Sequence, residues 1–247
     1  MRILGIDTAI PTASVALIED GVLLVEETQD KAANYARRLS GKPPSNHAEV
    51  VLPLIDSLFE KAGISVSHLS GIAVSIGPGS FTGLRIGLAT AKGLAYDSGL
   101  QLVGVSTLQA NAARVKHLDA MIGSMLDARK GEVYFALFRR RQNKLTRLTS
   151  DAVMSIHSAV ELVQNNRSDP GSELILIGDG AIGHQCQLFA SLGTSAQISE
   201  GSCSSVATQV GMLAGERFVA ASVDDIGALA PVYLRLPEAE SKRKNSL

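Results

Sequence analysis

The chain has 247 residues, enough for one large domain or two modest lobes, and its 45% hydrophobic content supports a sizeable core. Its 23 lysines and arginines almost cancel 24 aspartates and glutamates, which excludes a broad basic field able to grip nucleic acid unaided. With no Trp and 4% aromatic residues, a stacking platform for single-stranded nucleic acid is disfavoured as well.

Residues 2–7 read as a buried strand ending on Asp7. No long apolar run precedes that acid, so no signal peptide is expected, and no run approaches membrane-spanning length. The expected location is the cytoplasm. Thr12–Ile18 and Val22–Glu27 form a strand pair around Glu19-Asp20-Gly21. Residues 28–46 are a polar stretch with Arg37-Arg38 and Gly41-Lys42-Pro43-Pro44, read as a loop or a short helix followed by a loop.

Asn46 or Ser45 caps the next helix, with Glu49 at capping-box distance, and Gly63 stops it after Ala62. Val50, Val51, Leu54, Ile55, Leu58, Phe59 and Ala62 cover about half its circumference, wider than the roughly 100° stripe that one core contact needs. A strand over residues 71–76 leads into Gly77-Pro78-Gly79-Ser80-Phe81-Thr82-Gly83-Leu84-Arg85-Ile86-Gly87. Such a loop presents backbone N–H groups at a helix start, with Ser80 or Thr82 as cap. Its plainer reading is a tight strand-to-helix turn.

The helix behind this loop, read from Leu84 to Tyr96, is apolar or small almost all round. Arg85, Lys92 and Tyr96 share one polar strip on a 100°-per-residue wheel. Gly83, Gly87, Ala91 and Ala95 form a smooth flank, bordered by Leu84 and Leu88. Small residues let a second helix approach closely. That second helix belongs to this chain or to another one.

A strand at Leu102–Val105 completes the first lobe. In the second, strands Ala120–Asp127 and Glu132–Phe138 flank a turn at Ala128-Arg129-Lys130-Gly131, and a basic segment runs from Arg139 to Arg147. A helix at Ile156–Gln164, a loop at 165–170, a strand at Leu174–Ile177 ending in Gly178-Asp179-Gly180, and a helix over about Ser205–Ala220 follow. The division expected is an N-terminal lobe 1–108, a C-terminal lobe 109–237 whose last helix is able to pack back on the first lobe, and a disordered tail 238–247.

No set of reactive groups converges. Cys186 and Cys203 lie 17 apart without a CxxC pattern, so neither a disulfide framework nor zinc is expected. His47 lacks a second ligand at i+4, and His68, His117, His157 and His184 are scattered. Asp7 either holds a metal–nucleotide phosphate or binds its own backbone N–H groups, and the second reading is favoured. Asp127, Arg129, Lys130 and Glu132 bind a polar substrate or form a solvated turn, the commoner outcome. The segment Arg139-Arg140-Arg141 with Lys144 and Arg147 touches an RNA backbone or is a solvated hairpin end, again with the plainer reading favoured. Gly178-Asp179-Gly180 is a second phosphate turn or a strand exit.

These segments together resemble the TsaB (YeaZ) family, the non-catalytic subunit of bacterial tRNA threonylcarbamoyladenosine synthesis. The resemblance rests on Ile6-Asp7-Thr8, His47 with its helix, Gly77–Gly87, Val105-Ser106-Thr107-Leu108, Asp127-Ala128-Arg129, Gly131-Glu132-Val133-Tyr134, Gly178-Asp179-Gly180 and Pro231-Val232-Tyr233-Leu234-Arg235. Residues 30–45 depart from the family by their length. The resemblance implies an α/β fold of the two-lobe actin-like, sugar-kinase-like type (ASKHA), each lobe a mixed sheet flanked by helices. It implies a metal-bearing sister, TsaD, and an ATPase, TsaE, as partners, with tRNA met indirectly or weakly, and no catalytic residue, metal or cofactor in this chain. In the sister, two metal-binding histidines stand where this chain has Thr107 and Asn111.

Read with the resemblance, the surplus apolar surface becomes a partner-binding face comprising Val51, Leu54, Ile55, Leu58, Phe59, Leu84, Gly87, Leu88, Ala91 and Ala95. It serves the sister, or a homodimer when the sister is absent. A charge at Leu54 or Leu58 is expected to break that contact and leave the monomer folded. Asp7, Thr8, Gly77, Gly79 and Ser80 are a candidate vestigial phosphate site. Rival readings are an active ATPase or sugar kinase of the same fold, and a peptidase, for which no HExxH or triad is present.

Overall fold

A computed structural model of the chain describes residues 1–29, 46–167, 173–193, 196–199 and 205–235. The unusual stretch 30–45 and the tail 238–247 lie outside the described residues. The chain divides into two compact units, Met1–Ala110 with Cys203–Pro231, and Asn111–Ser202 with Val232–Leu247.

The first unit starts with β1 (Arg2–Asp7), β2 (Ser14–Glu19) and β3 (Val22–Thr28). Asp20 and Gly21 turn the β2–β3 hairpin with φ of 49° and 78°, the left-handed pair that suits a two-residue connection. Next come α1 (His47–Ala62), β4 (Gly71–Gly77), α2 (Phe81–Ser98), β5 (Gln101–Ser106) and α3 (Thr107–Ala113). The sheet order is β3-β2-β1-β4-β5, antiparallel on the β2–β3 side of β1 and parallel through β4 and β5. The mixed sheet follows from the connections: tight turns allow antiparallel neighbours, while helical crossovers force parallel ones.

β1 lies at the centre and is covered on both faces, so every residue from Ile3 to Asp7 is buried. Strand alternation sorts its side chains. Leu4 and Ile6 join Val15, Leu17, Ile72, Val74 and Leu102 in one core with α1 and α2. Ile3 joins Ala16, Ile18, Ala73, Val103 and Val105 in the opposite core. That second core is closed by α7 (Val206–Val219), the last helix of the described chain, which packs on β1, β2, β4 and β5. Its start is fastened by Glu26 of β3, whose carboxylate accepts from the Ser205 N–H at 2.9 Å and the Thr208 hydroxyl at 2.6 Å.

Gly5 faces α7, and a Cβ there would overlap the Ala207 carbonyl and stand 3.0 Å from the Gly211 nitrogen. The residue after α7 that secures its exit is Asp224. It accepts from Arg217 Nη2 at 2.9 Å and from the Gly104 N–H of β5 at 2.7 Å. Partial burial pushes this carboxyl up. The hydrogen bonds and charge of Arg217 and the Gly104 amide outweigh burial and hold it below its ordinary 3.8.

The second unit is built on β6 (Asp119–Asp127) and β7 (Glu132–Arg141), paired in antiparallel along their length. β8 (Lys144–Arg147) and β9 (Ala152–Ser155) pair with successive parts of β7. They are followed by α4 (Ile156–Asn166), β10 (Leu174–Ile177), α5 (Asp179–Gly183), α6 (Gln185–Leu192) and β11 (Ala196–Ser199). The order is β11-β10-β6-β7-β8, with β10 and β11 parallel to β6. Met121, Met125, Phe135, Leu137 and Leu176 pack with Ala159, Val163 and Leu188. The basic segment expected after Phe138 is strand: β7 continues to Arg141 because β6 pairs with it as far back as Asp119. The glycine turn at 178–180 opens α5.

Two substitutions test this construction. Gly5→Ala should lower the unfolding free energy by about 1–3 kcal/mol through overpacking. Gly215→Ala, whose new Cβ meets Ile3 Cδ1 at an ordinary 3.8 Å, should raise it by about 0.5–1 kcal/mol. Denaturant midpoints measure both. Asp224→Asn should cost about 1–2 kcal/mol at neutral pH. Because the folded carboxyl titrates below 3.8, wild type keeps this advantage above that value and loses it as pH falls through the depressed one. A difference between the two proteins that stays constant into acid would refute the assignment.

Candidate functional site

The glycine-rich segment is a clasp around the end of β1. Ser80 caps α2 by accepting from the Gly83 N–H at 3.2 Å, and the Ser80 N–H donates to the Ala9 carbonyl at 2.8 Å. Thr8, buried, donates its hydroxyl to the Gly83 carbonyl at 2.7 Å. A Cβ at Gly79 would overlap the Ala9 carbonyl, one at Gly83 the Thr8 carbonyl, and one at Gly87 the Thr8 hydroxyl. The glycines therefore serve close approach of a helix to a strand exit. The structure brings Thr8, Gly79 and Ser80 together, but the Ser80 amide that an anion would need is already committed. Asp7 is fully buried and its Oδ1 accepts from the Ala9 N–H at 3.4 Å, the own-backbone arrangement favoured from sequence. Gly77, buried at the end of β4 with φ of 119°, enters the clasp.

The same packing corrects the expected partner-binding set. Val51, Ile55, Leu58, Leu88, Ala91 and Ala95 are buried in the core that α1 and α2 share with the sheet, Leu84 is buried as well, and Gly87 is buried against Thr8. Leu54 and Phe59 are half-buried against that core. The wide apolar arc of α1 is used by β2, β3 and α2 together, and the small flank of α2 by β1, β4 and α1. A charge at Leu58 would therefore enter the core rather than a free surface.

The surface left open lies on the outer faces. On α1 it carries Ala48, Leu52 and Pro53, with Leu52 51% exposed. On α2 it carries Arg85, Ala89, Gly93 and Tyr96, with Tyr96 83% exposed. Arg85 lies 3.9 Å over the Phe81 ring, and no atom stands within 4 Å of a Cβ built on Gly93. Lys92, on the expected polar strip, donates to the Gly227 carbonyl at 3.2 Å. The missed residues had one signal in the sequence: an aromatic ring at position 96 on the polar side of an otherwise small helix.

In the second unit, Asp127 and Asp179 meet at the ends of β6 and β10. Asp179 Oδ1 accepts from the Asp127 N–H at 3.1 Å and the Gly180 N–H at 2.9 Å. Burial pushes the Asp179 carboxyl up against those two amides, and the Asp127 charge adds to the rise. Arg235 pairs with Glu132 and donates to the Ala128 carbonyl, tying the Pro231–Arg235 segment to this turn. Asn111 is buried and its amide is fully engaged: Nδ2 donates to Ser124 Oγ and the Ile177 carbonyl, and Oδ1 accepts from Arg114, each at 3.2 Å. Among the described residues, no group of three or more His, Cys, Asp or Glu is placed to hold a metal, and no helix is long and apolar enough to cross a membrane.

The class is an α/β protein with two mixed sheets flanked by helices. A solved protein from Pseudomonas aeruginosa described as similar to peptidase YEAZ superposes with a TM-score of 0.75 at 26% identity, covering 95% of this chain and 99% of that one. The ethanolamine utilization protein EutJ from Carboxydothermus hydrogenoformans shares the fold at a TM-score of 0.51 and 14% identity, over 86% of this chain and 89% of its own.

A family model described as tRNA N6-adenosine threonylcarbamoyltransferase (TsaD) matches residues 28–241. The tRNA threonylcarbamoyladenosine biosynthesis protein TsaB of Escherichia coli (strain K12) is 34% identical over 183 residues, 73% of this chain and 72% of that one. TsaB of Bacillus subtilis (strain 168) is 29% identical over 98% of this chain and 97% of its own. The chain belongs to the TsaB (YeaZ) family, within the wider group that the transferase model describes.

Two glycines on one helix separate inner from outer face. Gly87→Ala should destabilise by about 1–3 kcal/mol, because Thr8 must move. Gly93→Ala, in open space within a helix, should stabilise by about 0.5–1 kcal/mol. Equal effects in thermal melts would show that the two faces are not distinguished by packing.

Proposed function

We propose that this chain is a non-catalytic scaffold and activator in tRNA threonylcarbamoyladenosine biosynthesis. It pairs with a TsaD-like sister, is served by a TsaE-like ATPase, and brings no metal or nucleophile of its own to threonylcarbamoyl transfer. The observation that carries the reading is Asn111. Its carboxamide sits where the resemblance places a metal-binding imidazole in the sister, and every bond it makes is structural. Neither that amide nor the buried Thr107 hydroxyl replaces a neutral imidazole as a tight transition-metal ligand. In the first unit, the glycine clasp has Thr8 and Ala9 where a phosphate cradle would need open amides.

The docking face for the sister is the outer surface of α1 and α2, around Leu52, Pro53, Ala89, Gly93 and Tyr96. An exposed tyrosine beside a nearly bare helix backbone is suited to hot-spot packing. A partner of standard size covers about 800 Å² on each side. In the absence of the sister, the same face serves a homodimer.

The test is co-expression with a TsaD-like sister followed by sizing. Leu52→Asp with Tyr96→Glu should leave a folded chain by circular dichroism and weaken co-purification by at least about 100-fold, or roughly 3 kcal/mol. Leu58→Asp should instead lose the fold. Retention of the sister by the outer-face variant would show the face to be misplaced.

A further inference from the structure

The most basic part of the chain is the stretch 139–147, which holds five of its 23 lysines and arginines and no acid in nine residues. The structure sorts those five into two kinds. Arg140 and Arg147 have protein partners: Arg140 donates to the Ala113 carbonyl at 3.2 Å, and Arg147 pairs with Asp151 and lies 4.7 Å over the Phe138 ring. The side chains of Arg139, Arg141 and Lys144 have no hydrogen bond or ion pair among the described residues, while their backbones join the ladder.

Register puts these three on one face. Arg141 lies directly opposite Lys144, while Arg139, two positions earlier on β7, lies opposite Thr146. Arg140 and Arg147 occupy the other face with Phe138 and Leu145, as period-2 alternation requires. Like charges directly opposite on a sheet destabilise it. Here the only offsetting neighbour in register is Asp119, across from Arg141 on β6. Lys116 is exposed just before β6, and the Leu118 carbonyl accepts from the Gln142 N–H at the hairpin tip, which brings that segment alongside. A sheet edge that keeps three cations together on one face, while the two beside them are tied to protein oxygens, is suited to an anion.

We infer that the β7–β8 hairpin, through Arg139, Arg141 and Lys144, contacts the phosphate backbone of RNA. This rests on the proposed role in tRNA modification, which supplies the polyanion, and deepens it: the scaffold touches the substrate itself. Guanidinium groups pair with phosphate oxygens through paired N–H donors, and an ammonium adds a point charge. No base-reading groups are needed, so the hairpin positions tRNA and carries no sequence information. The patch is small, consistent with a neutral chain that contributes to binding within a complex.

The test uses the full assembly of this chain with a TsaD-like sister and a TsaE-like ATPase, and an unmodified tRNA transcript, by filter binding across a salt series. Assembly is verified first by sizing; its failure counts against the proposed function, and the titration is then run on the isolated chain, where the same comparison decides the hairpin. Arg139→Gln, Arg141→Gln and Lys144→Gln together should weaken binding about tenfold at low salt. They should also make the log–log salt slope shallower by about 2, since each cation–phosphate pair that is removed accounts for roughly 0.7–0.9. Arg129→Gln with Lys130→Gln, on a different turn of the same unit, should leave the slope unchanged. Unaltered affinity and slope in the triple variant would overturn the inference, as would an equal loss in the control pair.

Discussion

The first unit depends on two close approaches between β1 or its exit and a helix, neither of which leaves room for a Cβ. At Gly5 the strand meets the Ala207 carbonyl and the Gly211 backbone of α7, and at its exit Thr8 meets Gly83 and Gly87 of α2. Closely packed interiors tolerate little added volume, so these approaches hold only while each glycine remains one. A helix from the start of the unit and one from its end thereby grip the same strand from opposite faces. Glu26 and Asp224 then fasten the two ends of α7, one by capping its start and the other by holding Arg217.

That constraint decides which surfaces remain for partners. Because Gly83 and Gly87 are used against Thr8, and Ala91 and Ala95 are buried in the shared core, the small flank of α2 is an interior feature. Turning a helix inward along one line necessarily presents the residues about 180° away, here Ala89, Gly93 and Tyr96. Gly93 differs from Gly87 in having nothing near it, so its smallness has no internal reason. A glycine with no close neighbour in the monomer, next to a tyrosine that the monomer does not bury, is the feature on which the proposed docking face rests.

The order of elements in the first unit was readable because its signals are local. Asn46 with Glu49 and Gly63 bound α1, and the strand at 71–76, apolar or small except for Ser75, has the character of a doubly covered parallel strand. The destination of the apolar surface was not readable. A wheel shows how wide an apolar arc is, but it does not say whether a sheet, a neighbouring helix or another chain fills it. Here Val51, Ile55 and Leu58 are filled from within. The short helices α3, α5 and α6, of 7, 5 and 8 residues, span too few turns to develop a period. The strand character of Arg139–Arg141 was hidden by its charge, since it comes from pairing with β6 rather than from propensity. Asp7 illustrates the opposite case, because an Asp closing a buried strand has the backbone N–H two residues on within reach of one carboxylate oxygen.

The balance of charge over the whole sequence is compatible with a locally basic edge, because net charge is a sum and recognition is a matter of faces. In the second unit Arg114, Arg140, Arg147 and Arg235 are each held by a carbonyl or carboxylate oxygen. They act as structural ties, and Arg147 and Arg235 are also paired with the carboxylates of Asp151 and Glu132. What remains on the β7–β8 face is a small fraction of the chain's cations, so the RNA contact inferred for it is weak and falls steeply with salt. Asn111 follows the same logic from the side of chemistry. Its amide is used by three neighbours, Ser124, Ile177 and Arg114, so its hydrogen-bonding capacity is spent on securing the fold.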